Sequence, residues 1–309
     1  SWIRQWWEVE NSDLVMMGIK VRNNCRLLNV PLKDLCGPES PYHIVAIKRG
    51  DETIIPHGND IIYAYDLVFF MTTRKYISYI RELTGKEDFP DVKNVAIMGG
   101  GITTLFTAQL LPDYMKIKII ERDEQRCREL FEQLDNRKAM IIHGDGRDMA
   151  LLQDENIPNS EAFIALTGSS EANILSCLAA KRMNIHKTIA MLDNLSFVSM
   201  AESLDIGTLI NKQNIAASYI YQMMLKADVT NVKSLVVANA DVAEFKVKEG
   251  TKITHRQIKD LRLPEGATLG GLVRNGQGLL INGNTQIQAG DRVVTFCIGN
   301  DLRNLSSFF

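Results

Sequence analysis

Between residues 91 and 231 short apolar runs alternate with longer stretches in which apolar and polar positions mix. Val95-Ala96-Ile97-Met98, Ile117-Lys118-Ile119-Ile120, Met140-Ile141-Ile142, residues 162–166, residues 188–192 and Thr208-Leu209-Ile210 read as strands. The intervals 103–111, 124–134, 170–183 and 216–226 fit the helices between them. In the second of these, Leu130, Phe131 and Leu134 stand at i, i+1 and i+4, the stripe expected of a helix packing onto a sheet. Strand-helix alternation of this kind predicts an α/β fold with a doubly wound, Rossmann-like parallel sheet.

The pattern on either side is different, with short β-rich runs broken by turn residues. Ile44 to Ile47, Ile54-Ile55 and Leu67 to Met71 are separated by turns at Gly50-Asp51 and His57-Gly58-Asn59. The two ends also repeat one another. Ile19-Lys20-Val21 and Pro31-Leu32-Lys33-Asp34-Leu35 match Phe245-Lys246-Val247 and Gln257-Ile258-Lys259-Asp260-Leu261 at equal spacing. After a one-residue adjustment Val45-Ala46-Ile47-Lys48-Arg49 matches Gly270-Gly271-Leu272-Val273-Arg274, Gly58 matches Gly283, and Asp66 matches Asp291. The organisation predicted is a linker remnant over 1–16, a small α/β module over 17–90, the parallel-sheet domain over 91–231 and a second small module over 232–309. Two roles are open for the modules: packing or dimerisation, and a ligand pocket in each copy.

Composition narrows the class of protein. At 309 residues the chain is long enough for two or three domains, and 45% apolar with 23% charged residues is ordinary for a folded globular protein. A net charge of -2 leaves no basic surplus to neutralise phosphates, so no nucleic-acid partner is expected. Cys25, Cys36, Cys127, Cys177 and Cys297 are scattered without metal-site spacing, as expected of reduced thiols in a cytoplasmic protein. No apolar run is long enough to span a bilayer and no signal-peptide pattern opens the chain. The first residue is Ser1 rather than Met, as in a piece of something longer.

Candidate chemistry follows the first parallel strand, where Gly99-Gly100-Gly101-Ile102-Thr103-Thr104 leads into an apolar helix. In a dinucleotide fold the first glycine makes the tight turn, the next lets backbone approach the pyrophosphate, and the helix N-terminus faces the negative charge. Gly99 and Gly101 suit those two roles, and a plain structural turn is the competing reading. Thr104 stands where a third glycine is usual, which predicts looser packing of helix on strand. Glu121 ends the second strand, twenty residues beyond Gly101, where a carboxylate accepts from both ribose hydroxyls and repels a 2′-phosphate. Its neighbour Arg122 pulls the other way on that NAD-over-NADP preference. His143-Gly144-Asp145-Gly146 ends the third strand, where the small glycines would admit a flat adenine or merely form a turn. Thr167-Gly168-Ser169-Ser170-Glu171 follows the fourth strand, and helix capping by Ser169 or Ser170 accounts for most of it. No acid-base group at readable spacing follows the nucleotide domain, and His186 and His255 are isolated, so a non-catalytic role is expected. An NAD-dependent oxidoreductase and a purely structural module are the alternatives.

Gly99-Gly100-Gly101, Ile120-Glu121-Arg122-Asp123, Gly144-Asp145, Phe163-Ile164-Ala165-Leu166-Thr167, Leu178-Ala179-Ala180-Lys181-Arg182-Met183 and Leu263-Pro264-Glu265-Gly266 resemble the RCK/KTN regulators of potassium transport over nearly the whole chain. The resemblance implies a KTN nucleotide domain flanked by two RCK C-terminal domains. It also implies binding of NAD(H), with ATP or ADP in some members. The partner implied is a membrane potassium-translocating subunit, gated from the cytoplasm by a regulator peripheral on the inner face of the membrane. Separately, the repeat and the helix over 216–225, whose apolar residues occupy more than one face and include the Met and Tyr types enriched at protein contacts, predict a homo-oligomer, with a second buried face inside one chain as the alternative. Carried onto this sequence, Gly99 and Gly101 would meet the phosphates, Glu121 the ribose and Asp145 the region of the adenine. Gly100, Ile102, Thr103, Arg122, Gly144, Gly146 and Thr167 complete the candidate set. Two departures stand out: Thr104 in place of the third glycine, and Gly168-Ser169-Ser170-Glu171 where family members often carry a more acidic run.

Overall fold

The stretch expected as a linker contains the first strand and the start of the second. In the computed structural model, which describes residues 2–37, 39–224, 229–235, 238–299 and 301–309, β1 (Gln5–Glu8) pairs antiparallel with β2 (Leu14–Lys20). The short helix α1 (Leu32–Leu35) follows, then β3 (Tyr42–Arg49), β4 (Glu52–Ile54), β5 (Leu67–Thr73) and α2 (Ile77–Leu83). The sheet order is β1-β2-β5-β3-β4. β1 reads Gln-Trp-Trp-Glu, without the alternation of a half-buried strand, and its place is set by its pairing with β2.

The parallel sheet comprises β6 (Asn94–Met98), β7 (Lys116–Glu121), β8 (Ala139–His143), β9 (Ala162–Ala165), β10 (Lys187–Met191) and β11 (Thr208–Ile210), in the order β11-β10-β9-β6-β7-β8. This is the doubly wound arrangement expected, with its switch point between β6 and β9. Its helices are α3 (Ile102–Leu110), α4 (Glu124–Gln133), α5 (Met149–Asp154), α6 (Ser170–Arg182) and α7 (Val198–Ser203); α8 (Lys212–Met224) follows β11 and, from Gln213 on, belongs by contact with the flanking modules. Alternate strand residues point to opposite faces: Val95 and Ile97 pack with Leu105 of α3 and Leu130 of α4, whereas Ala96 and Met98 share the other core with Leu152, Ile174, Cys177 and Ala201. Phe131 departs from its expected inward position and is 58% exposed. One helical position beyond Leu130 lies about 100° around the axis, off the sheet. α5 and α7, six residues each, are too short to show a helical period in sequence. The C-terminal part of the helix expected over 216–226 lies outside the described residues.

The second module comprises β12 (Val229–Leu235), β13 (Ala240–Lys246), β14 (Ala267–Arg274), β15 (Gln277–Leu280), β16 (Arg292–Ile298) and α9 (Asp301–Ser306), in sheet order β12-β13-β16-β14-β15. Strand for strand this is the topology of the first module. Residue 231, taken as a domain junction from the sequence, lies within β12 of this sheet. The β14–β15 hairpin turns through Asn275 and Gly276, both at positive φ (53° and 78°), the type I′ signature. By contact the chain divides into two compact units, Phe89–Lys212 and the pair Ile3–Asp88 with Gln213–Phe309. The flanking modules, expected as separate domains, therefore share a core. Met16, Val45, Phe69 and Met71 of the first pack with Val242, Val294 and Phe296 of the second, and the Phe69 and Phe296 ring centroids are 5.2 Å apart. Among the described residues no helix is long and apolar enough to cross a membrane.

Candidate nucleotide site at the switch point

The carboxyl ends of β6, β7, β8 and β9 open into a cavity of about 480 Å³. Gly99, Gly100, Gly101, Glu121, Arg122, Gly144, Asp145, Gly146 and Thr167 line it, so nine of the eleven expected site residues converge from four strand ends. Ile102 and Thr103 do not line it; they form the first turn of α3, where the Ile102 side chain faces outward.

Local geometry explains the glycine turn. Gly99 has φ +99°, the backbone angle that calls for glycine, and a Cβ there would be a tight fit, 3.1 Å from the Thr167 amide nitrogen and Cγ2. A Cβ at Gly101 would meet nothing within 4 Å, leaving that backbone open to the cavity. Gly101 is the N-cap of α3 and brings no side-chain hydrogen bond, whereas α4, α5 and α6 are capped by Asp123, Asp148 and Ser169. The first-turn amides of α3 thus keep their positive end free of a side-chain acceptor. Gly100 is held from both sides: its N–H donates to Glu121 Oε2 at 2.5 Å and its carbonyl accepts from Arg126 Nε at 2.6 Å.

Thr104, expected to loosen the helix, instead fastens it. The side chain is fully buried and its hydroxyl donates to the Gly99 carbonyl at 2.6 Å, tying the first turn of α3 to the loop that precedes it. Gly144 and Gly146 also have a packing reason that the sequence does not show. A Cβ at Gly144 would come 2.4 Å from Leu151 Cδ2, and one at Gly146 2.4 Å from Met98 Cγ. Their small size thus makes room for these two side chains while both residues line the cavity.

Charge in the cavity is balanced, with Glu121 and Asp145 against Arg122 and Arg147. Glu121 Oε1 also accepts from the Asp123 amide at 2.8 Å, which holds the carboxylate at the tip of β7. Asp145 is engaged by Arg147, whose Nε and Nη2 donate at 3.0 and 2.6 Å and whose amide donates at 2.9 Å. These bonds bring the Asp145 pKa down to about 2. Asp145 therefore fixes the Arg147 guanidinium at the cavity wall. Arg147, Ser169 and Ala172 line the cavity and were missed from sequence. For Arg147 the available signal was an arginine two residues after an aspartate at a strand end.

Comparison with known proteins agrees with this arrangement. A TrkA-N domain matches residues 95–212, and a TrkA-C domain matches twice, over 16–85 and 242–309. The Trk system potassium uptake protein TrkA of Vibrio alginolyticus is 33% identical over 265 residues, 84% of this chain and 57% of that protein. Its namesake in Halomonas elongata is 32% identical over the same coverage. That of Azorhizobium caulinodans is 27% identical over 304 residues, 97% of this chain and 66% of that one. The chain thus spans 57 to 66% of the length of these relatives. Among solved structures, the GsuK channel bound to NAD aligns over 99% of this chain and 56% of its own with a TM-score of 0.50 and 13% identity, a likeness of fold. With its switch-point cavity in a TrkA-N domain and a TrkA-C domain on each side, this chain belongs to the TrkA family of RCK/KTN proteins.

Proposed function

We propose that the 89–212 unit binds NAD(H) or a related adenine nucleotide, and that within its complete protein this binding gates a membrane potassium-translocating subunit of the Trk type from the cytoplasmic face. The convergence of an uncapped helix N-terminus, the open Gly101 backbone and the Glu121 carboxylate around one cavity carries the reading. The α3 N-terminus and the Arg122 and Arg147 side chains suit a pyrophosphate, and Glu121 suits a ribose bearing free hydroxyls. The GsuK channel, whose fold this chain shares, is a structure with NAD bound. Among the lining residues the part of the cavity beyond Gly101 offers Thr167 and Ser169 rather than an acid-base pair, which favours a sensor over an oxidoreductase.

Calorimetric titration with NADH, NAD, NADPH, ATP and ADP tests the site. Glu121→Ala should weaken NADH by about ten- to a hundredfold through loss of the ribose hydrogen bonds, and an unchanged affinity overturns the assignment. A nucleotide biases a gate only by its difference in affinity between two states. Potassium flux through the reconstituted partner should therefore follow nucleotide level with the wild-type regulator and lose that response with Glu121→Ala; flux that ignores both despite binding refutes the regulatory role. Ile102, Phe106 and Leu110 recur every four residues on α3 and are 57 to 84% exposed, an apolar stripe suited to a further copy of the chain. Light scattering should give a mass above the 34.7 kDa of one chain, and a strictly monomeric species argues against self-assembly.

A further inference from the structure

Of the buried polar residues of α6, Ser170, Asn173 and Ser176, Asn173 alone is wholly inaccessible to solvent. Ile174, Cys177 and Ala180 pack into the core, and Asn173, between Ala172 at the cavity wall and Ile174, is equally inaccessible to solvent. An apolar side chain would fill the same place without the cost of burying an amide. Every hydrogen-bonding valence of this amide is used. Oδ1 accepts from the Thr167 amide at 3.1 Å and the Thr167 hydroxyl at 2.7 Å, while Nδ2 donates to the Thr167 carbonyl at 3.0 Å and the Met191 carbonyl at 2.8 Å. Three of the four bonds grip one residue of the loop between β9 and α6. The fourth anchors that grip to the end of β10.

Thr167 is also the residue against which Gly99 packs without slack. The two loops that border the switch-point crevice, one after β6 and one after β9, therefore meet at Gly99 and Thr167. On the β7 and β8 side stand Glu121, Asp145 and Arg147, and on the β9 side Thr167, Gly168 and Ser169. A dinucleotide with its adenosine at Glu121 and its pyrophosphate at the α3 N-terminus must lay its second nucleoside across the crevice onto the Thr167 loop.

Resting on the nucleotide reading above, we propose that Asn173 is the positioning residue for the second nucleoside of a bound dinucleotide. It acts through Thr167 and touches no ligand. Its amide holds the Thr167–Ser169 loop from behind, at the distance from Gly99 that leaves the crevice open for the second half, while the adenosine half is held by residues that Asn173 does not reach.

The test compares a whole dinucleotide with its half. Titration of the full chain with NADH and with AMP measures both affinities in wild type, Asn173→Ala, Thr167→Val and Thr167→Ser. Asn173→Ala should lower NADH affinity by about tenfold or more, through release of a loop held by several hydrogen bonds, and leave AMP within about twofold. Thr167→Val, which removes the gripped hydroxyl and with it the bond to the Ser169 amide, should shift the same ratio in the same direction by less, and Thr167→Ser, which keeps the hydroxyl but not the methyl that meets Gly99, should shift it less than Thr167→Val. Equal loss of NADH and AMP in Asn173→Ala would mean a merely structural residue and overturns the proposal, as does an unchanged NADH affinity. Should Asn173→Ala fail to fold, the NADH-to-AMP ratio in Thr167→Val decides in its place. Wild-type chain that binds neither nucleotide refutes the site itself, an outcome distinct from wild type that binds both while the variants keep its ratio.

Discussion

The two TrkA-C modules have the same sheet order but solve their shared interface with different residues. Each retains one polar staple. Arg49 Nε and Nη2 donate to the two Asp66 oxygens at 3.0 and 2.7 Å, and Arg274 does the same to Asp291 at 2.8 and 2.6 Å. A spare donor goes to a loop carbonyl in both, Ile61 in one and Gln286 in the other. Lys33 and Lys259 likewise bond Asn59 and Asn284. These are bonds inside each module, and they explain why Arg49, Asp66, Arg274 and Asp291 stand out in the repeat. At the seam between modules the copies diverge. Val45 and Gly270 are the bulge residues of β3 and β14, and a Cβ on Gly270 would lie 2.9 Å from Val45 Cγ1 and 2.8 Å from Met71 Cε. Gly271 likewise leaves room for Leu14, whose counterpart in the other module is Ala240. Internal bonding is copied, whereas facing surfaces are made complementary, large against small, because identical bulky residues cannot share one volume.

Breaking the staple tests the first half of this comparison and should have the largest effect. Arg274→Ala leaves Asp291, 2% exposed, without its counter-charge and should cost about 3 kcal/mol. Arg49→Ala should cost less, because the Arg49 side chain is 42% exposed against 28% for Arg274 and solvent already screens it. Denaturant unfolding followed by the fluorescence of Trp7, buried in the shared core, measures both; equal costs would show that burial does not separate the copies. Filling the seam comes next. Gly270→Val should destabilise by about 1–3 kcal/mol through overpacking, and adding Val45→Gly should restore much of the loss. Additive losses in the double variant would deny that the two positions share space.

The smallest effect distinguishes the copies by pH. His43 of β3 corresponds to Thr268 of β14, so a titrating group enters the seam from one module only. The His43 Nδ1 is sealed from solvent without a hydrogen-bond partner among the described residues, and burial holds the imidazole below its ordinary 6.5. Protons then bind the unfolded chain more readily than the folded one. Stability is full above about pH 6.5 and declines as pH falls from there towards the depressed folded value, with a slope of at most about 1.4 kcal/mol per pH unit for one proton. His43→Gln should flatten the pH 5–8 dependence of the melting temperature, and an unchanged profile would assign the acid sensitivity elsewhere.

Legibility in the sequence followed the range of the interactions concerned. The parallel strands were readable because their apolar runs are local, and the glycine turn because Gly99 needs a backbone angle that other residues rarely adopt. Glu121 was readable because a strand and a helix of ordinary length separate it from that turn. Phe131 was misread because adjacent helical positions diverge by about 100° and a lone apolar pair does not say which member faces the sheet. The reasons for Gly144 and Gly146 lie in Leu151 and Met98, one of them on a different strand. Asn173 resembles any helix asparagine until β10 brings the Met191 carbonyl alongside it.

The sequence by itself determined the alternation of strands and helices, the repeat, the glycine turn with its distant carboxylate, and membership of the family these residues spell out. Tertiary structure decided that β1 belongs to the first module, that two modules 225 positions apart in register share one core, that Asp145 serves Arg147, and that Thr104 fastens α3. The division has a physical cause. Backbone conformation and periodic burial depend on neighbours along the chain, whereas the partner of a buried polar group and the atom filling the space beside a glycine depend on which distant segments the topology brings together.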